Sequence, residues 1–294
     1  MMKKSFLFLI LCLLFTSCKY GLTQALYRKH GVNERSAQIK TIANPVTDEQ
    51  AASVYSIILV SDIHFGSSRE RSDELFLKAF EELCEASDTA LHPLFAINVG
   101  DMTETASEKE YGDFLDLCNS MKQIALEKNS NDTFKVYSIL GNHDLFNDGW
   151  NIYKTKVVPY TSYYRFYTGS DDKKIGWYFL DSASGSLGTK QIKNLEYEMK
   201  NDPCVKIVIN HYPLYEHNAF YFAIQNTDEA DRLLSLFAKN NVKHVFAGHF
   251  HTGWEYDHGC FKETGVKGYL GKRKFAVLTI DQQNGVFNVK HFEF

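Results

Sequence analysis

Five apolar runs in this chain break off into short polar clusters, and that recurring junction constrains the fold more than any other feature. The run Val136, Tyr137, Ser138, Ile139, Leu140 ends at Gly141-Asn142-His143-Asp144. A buried strand that stops at a glycine sets the direction of the polar side chains behind it. An amide oxygen, an imidazole and a carboxylate aimed into one cleft suit metal-assisted phosphate chemistry. A hairpin turn or a helix N-cap is the alternative reading of the same tetrapeptide, because Asn and Asp are common in both.

The other junctions repeat the pattern. Residues 54–60, rich in Ile and Val and uncharged, predict a strand buried on both faces, and Ser61-Asp62-Ile63-His64 follows it. On an extended backbone Asp62 and His64 point the same way. Residues 94–99 lead to Gly100-Asp101 and then Glu104, and residues 205–209 lead to Asn210-His211-Tyr212-Pro213. A short strand near Val245 runs into Gly248-His249-Phe250-His251, whose alternate histidines read as a metal-binding pair. Apolar spacing predicts helices over residues 72–86, 108–127, 187–199 and 228–239. Successive strand-loop-helix units imply a layered α/β domain with its loops gathered at one sheet edge. Residues 163–167 and 175–180, flanking Gly169-Ser170-Asp171-Asp172, predict a hairpin and a second, more antiparallel sheet. Residues 275–280 and 286–292 predict another hairpin, with Asn284-Gly285 supplying positive φ angles.

The N-terminus carries a different message. Lys3 and Lys4 precede an almost unbroken apolar stretch over residues 6–15, the length of a signal-peptide core and too short to span a bilayer comfortably. Thr16-Ser17-Cys18 comes next, and Leu14-Phe15-Thr16-Ser17-Cys18 resembles the lipobox of bacterial lipoproteins, with Phe15 where Leu is usual. The resemblance implies a signal peptide over 1–17, a lipidated Cys18 opening a polar tether over 18–52, and a folded domain over 53–294. The protein would then be exported and anchored at the cell membrane or outer membrane. Ordinary secretory cleavage nearby, or an uncleaved anchor, is the alternative. Cys84, Cys118, Cys204 and Cys260 remain in the mature chain; two disulfides and unpaired buried thiols are both open to them, and their spacing matches no CxxC zinc pattern. A net charge of −4 and a pI near 6.3 give no basic footprint for a nucleic-acid polymer.

Taken in order, Asp62 and His64, Asp101 and Glu104, Asn142 and His143, His211, and His249 and His251 resemble the DxH, GDxx(D/E), GNH(D/E), lone-His and GHxH motifs of the calcineurin-like metallophosphoesterase family, over roughly residues 54–252. The resemblance implies an α/β fold of two packed sheets between helices, αββα, with a metal site in loops at strand C-terminal ends. Asp62, His64 and His251 would hold one metal ion, Asn142, His211 and His249 a second, and Asp101 would bridge them. Mixed nitrogen and oxygen ligands suit Mn, Fe or Zn better than Mg or Ca. Two cations about 3.5–4 Å apart lower the pKa of a bridging water and orient phosphate for in-line displacement.

In the same resemblance His143 acts as general acid or hydrogen-bond donor, Glu104 is the carboxylate that orients it, and Asp144 supports the loop. The implied activity is hydrolysis of a small phosphodiester or phosphomonoester. A non-catalytic surface lipoprotein that binds a phosphorylated ligand or host component is the alternative. Protein phosphatases of the family carry an arginine just after GDxxD, and Thr105 stands there in this chain, which argues against that substrate class. His30, His92, His244, His258 and His291 read as surface or satisfied core residues. His217, beside Phe220, Tyr221 and Phe222, belongs to an aromatic cluster able to stack a nucleobase or sugar, ordinary packing being its other reading.

Overall fold

The computed structural model describes residues 30–158, 161–169, 173–215 and 223–294. The expected signal peptide, Cys18, and His217 with Phe220, Tyr221 and Phe222 lie outside these residues. Among the described residues, no helix is long and apolar enough to cross a membrane.

Two sheets face each other. Strands β2 (Val54–Val60), β3 (Pro93–Asn98) and β4 (Val136–Ser138) pair in parallel, and β11 (Lys274–Asp281) and β12 (Val286–Glu293) add antiparallel to the β2 edge, giving the order β12-β11-β2-β3-β4. Strands β1 (Lys40–Thr41), β5 (Tyr164–Thr168), β6 (Ile175–Phe179), β7 (Val205–Asn210), β8 (Val242–Ala247), β9 (Trp254–Asp257) and β10 (Lys262–Gly265) form the second sheet, in the order β1-β5-β6-β7-β8-β10-β9. The period of two along each strand builds the layers. In β2, Ile57 and Leu59 enter the core between the sheets with Phe95, Trp177, Ile209 and Phe246, while Ile58 and Val60 pack outward under helices Asp73–Cys84 and Glu108–Asn129. Helices Gly188–Lys200 and Thr227–Lys239 cover the far side through Leu195, Leu233 and Phe237. Each fully buried aliphatic side chain contributes about 1.5–3 kcal/mol, so β2, buried on both faces, is a structural spine.

Three expectations need correction. The second sheet is mainly parallel, because helices Gly188–Lys200 and Thr227–Lys239 act as crossovers between β6, β7 and β8; only the β5–β6 and β9–β10 pairs are antiparallel. The β11–β12 connection is the four-residue loop 282–285, in which Gly285 alone has positive φ. Gln282 is drawn inward there to contact Tyr55 and the Thr168 carbonyl.

The third correction concerns residues 30–52, expected as free tether. They pack on the domain. Val32–Arg35 is helical, β1 pairs in parallel with β5, and Thr47 and Gln50 form a reciprocal capping box on helix Asp48–Ala52. Arg35 is the main fastening. Its Nε and Nη2 donate to Asp181 at 2.9 and 2.8 Å, with both side chains fully buried. The packed chain therefore begins well before residue 53.

Candidate metal centre

All five polar junctions fall at the C-terminal ends of β2, β3, β4, β7 and β8, on one rim of the sandwich. The first two are joined through their main chains. Asp62 N donates to Gly100 O at 3.1 Å, His64 N to Asp101 O at 3.0 Å, and Phe65 N to Met102 O at 2.9 Å. Asp62 and His64 do not lie on extended backbone as expected. Their φ angles are 55° and 52°, and Asp101, His249 and His251 are also left-handed at 53°, 67° and 55°. An L-residue in this region costs about 1–2 kcal/mol, and such conformations collect at functional sites where surrounding contacts impose them. Two glycines make room for the turns. A Cβ on Gly100, itself at φ +98°, would lie 2.4 Å from His211 Nδ1, and one on Gly141 would lie 2.1 Å from Asp101 Oδ1.

The side chains converge in triads. In each of the sets Asp62, His64, His251 and Asp101, His211, His249, one ligating atom per residue lies within 4.8 Å of the others. His251 Nε2 is 3.3 Å from Asp62 Oδ1. Asp101 Oδ2 stands between the sets, 3.7 Å from His64 Nε2 and 3.4 Å from His211 Nε2. Asn142 Oδ1 joins the second set, 3.2 Å from His211 Nε2. His64, Asp101 and His143 form a further close group, with the His143 ring edge-on to His64 at 4.6 Å.

Charge and protonation follow from burial. Desolvation works to raise the Asp101 pKa, but His211 and its neighbours outweigh it and hold the carboxyl well below the usual range; at Asp62, desolvation is likewise overcome, chiefly by His251. Desolvation opposes protonation of His211, yet the Asp101 carboxylate pushes its pKa up to about 9. Burial, reinforced by His211, pushes His249 down to about 3. His211 Nδ1 donates to the Val99 carbonyl at 2.8 Å, which turns Nε2 inward as a ligating atom. Two buried carboxylates facing imidazole nitrogens, with His64 Nε2 buried and without a hydrogen-bond partner, make a donor set that fits a pair of transition-metal cations.

The residues behind the ligands are tightly tied. Asp144 Oδ1 accepts from Thr103 N and Oγ1, at 3.0 and 2.8 Å, and Oδ2 accepts from Gly141 N at 2.8 Å, so it braces the loop as expected. Glu104 behaves differently from its expected role. Its N–H donates to Phe65 O, which turns its carbonyl, not its carboxylate, onto His143 Nδ1 at 2.9 Å, while carboxylate Oε2 lies 2.9 Å from His64 Nδ1. Ser182, absent from the sequence reading, accepts from His211 N at 3.1 Å and Tyr212 N at 3.0 Å; its only signal was its position just past β6. Cys84, Cys118, Cys204 and Cys260 are free thiols.

The sequence profile of the calcineurin-like phosphoesterases matches residues 55–253. The chain belongs to that family. This phosphoesterase is 26% identical over 205 residues to a probable cyclic nucleotide phosphodiesterase of Fibrobacter succinogenes, an overlap of 68% of this chain and 73% of that protein. Its fold is similar to a dimetal phosphatase from Danio rerio, with a TM-score of 0.54 at 11% identity over 81% of this chain and 98% of that one. It is also similar to GAP50, the anchor in the inner membrane complex of Plasmodium, with a TM-score of 0.55 at 14% identity, covering 82% and 84% of the two chains. These structural likenesses establish the αββα architecture. The family assignment makes the protein a metal-dependent hydrolase of phosphate esters.

Proposed function

We propose that this phosphoesterase is exported, is held at a membrane through a lipidated Cys18, and cleaves small phosphodiesters at two cations shared by Asp101. The observation that carries the reading is the Asp101 carboxylate between two imidazoles, 3.7 Å from His64 Nε2 and 3.4 Å from His211 Nε2. Asp62, His64 and His251 would hold one cation, Asn142, His211 and His249 the other, and Asp101 would touch both. Cations held by these residues would supply Lewis acidity to a water and to the phosphoryl oxygens of the substrate.

The protein's own contribution is orientation and proton handling. His143 N donates to Asp101 Oδ1 at 2.9 Å, and His143 Nδ1 donates to the Glu104 carbonyl at 2.9 Å, so Nε2 is the nitrogen left to give a proton to the departing oxygen. Glu104 steadies His64 with its carboxylate and His143 with its carbonyl, a positioning role toward both.

The diester preference has two supports. The Fibrobacter relative is named as a probable cyclic nucleotide phosphodiesterase. Thr105, in the arginine position, spends its hydroxyl on Glu110 Oε1 at 2.7 Å, which leaves no guanidinium there for the second negative charge of a monoester. Membrane attachment is supported by the pattern of residues 3–18. If Cys18 carries the lipid, residues 19–29 reach at most about 40 Å, which keeps the packed domain near the surface.

The test is hydrolysis of a chromogenic phosphodiester and the matching monoester by protein lacking the first 18 residues, with Mn2+ and with chelator, beside His143→Ala. Metal-dependent turnover that favours the diester and collapses in the variant is expected. No turnover by metal-loaded protein would refute hydrolysis, and a monoester preference would refute the substrate class.

A further inference from the structure

We infer that Glu263, on β10 and beyond the residues that the family profile matches, is a positioning residue for the second cation site; the inference rests on the metal-holding roles proposed above. Glu263 is fully buried, and a carboxylate is rarely so unless every oxygen is paired. Its Oε1 accepts from Leu214 N at 2.7 Å, and its Oε2 accepts from Tyr215 N at 3.1 Å and from His258 Nε2 at 2.8 Å.

These contacts complete a clamp on the segment that carries His211. Pro213 has no N–H, and the other four main-chain N–H groups of residues 211–215 are all held by side chains from neighbouring elements. Ser182 accepts those of His211 and Tyr212, and Glu263 accepts those of Leu214 and Tyr215. The segment thus has one anchor on each side. Between them, the buried Tyr212 ring stacks on His249, with centroids 4.1 Å apart and planes 29° apart, and the His211 and His249 rings lie 5.2 Å apart. Fixing this segment therefore fixes both histidines of one triad. Among the described residues, the side-chain hydrogen bonds of Glu263 go to Leu214, Tyr215 and His258, and none goes to Asp62, His64 or His251.

Glu263→Gln tests the clamp. The substitution keeps one acceptor but turns an NH2 toward a main-chain N–H, leaving a buried donor facing a donor. Mn2+ binding is titrated by calorimetry, and the spin-coupled pair is followed by electron paramagnetic resonance. Second-site affinity should weaken about 10–100-fold, with isolated Mn2+ signal replacing the coupled signal and the first site changed by less than about 2-fold. Tyr212→Leu keeps an apolar side chain at the buried position and leaves both anchors in place, but removes the ring from His249. It should reproduce the selective weakening, and it serves as the test if Glu263→Gln does not fold. Two sites of wild-type affinity in the folded variant, or equal weakening of both sites, overturns the inference alone. Fewer than two Mn2+ bound by the wild-type protein overturns the metal-holding reading and this inference with it.

Discussion

Replacing Arg35 by Met leaves the Asp181 carboxylate buried with Ser162 Oγ, at 2.6 Å, and Ala183 N, at 3.3 Å, as remaining donors. The wild-type pair is a two-pronged guanidinium–carboxylate contact at 2.9 and 2.8 Å with no exposed side-chain surface on either partner. Removing one partner of such a pair costs about 3–5 kcal/mol, because the remaining charge has lost water and counterion together. Domains are stable by only about 5–15 kcal/mol, so the variant should lose about a fifth or more of its margin. With a urea dependence of about 3 kcal/mol per M, the unfolding midpoint read by tryptophan fluorescence should fall by about 1–1.7 M. Adding Asp181→Asn removes the orphaned charge and should recover at least half of the loss, a coupling expected of residues in direct contact. A loss below about 1 kcal/mol in Arg35→Met, or no recovery on neutralising Asp181, would refute the claim that residues 30–52 are a fastened part of the domain.

Asp101→Ala should remove both cations, since its carboxylate lies between the triads; one full equivalent retained in metal analysis would disprove the shared role. Cys18→Ser should move the protein from the membrane to the soluble fraction, and persistence with membranes after fractionation would rule out the lipid anchor. His244 carries a pH prediction: burial, aided by Lys262, pushes its pKa down to about 3 in the folded protein, against about 6.5 unfolded. The unfolded chain therefore binds the extra proton, and stability present above pH 6.5 is lost as pH falls toward 3. At pH 5 the loss is about 2 kcal/mol, so His244→Gln should flatten the stability profile between pH 7 and 5 by that amount; unfolding midpoints that change with pH as in wild type would contradict it.

Much of the scaffold was legible in local pattern. The Val54–Val60 strand and the helix start at Glu108 coincide with the expected bounds, because apolar periodicity depends on neighbours a few residues away. The types of side chain at the rim were legible for the same reason, each following a strand directly. Backbone hand was not. Nothing in Asp62-Ile63-His64 announces two left-handed residues; the hydrogen bonds to Gly100 and Asp101 impose them. The path of Glu104 was equally hidden, since the bond from its N–H to Phe65 O decides which of its oxygens meets His143.

Which strands are buried, near which residues they end, and which nitrogen and oxygen donors follow them can be read from the order of the residues alone. Tertiary structure alone decided that Arg35 meets Asp181 across 146 positions of chain, and that Glu263 clamps amides 48 and 49 residues away. A hydrophobic repeat is written in the order of the residues that make it. The partner of a buried charge is chosen by which strand ends the sheet brings side by side, and neither residue carries a mark of the other.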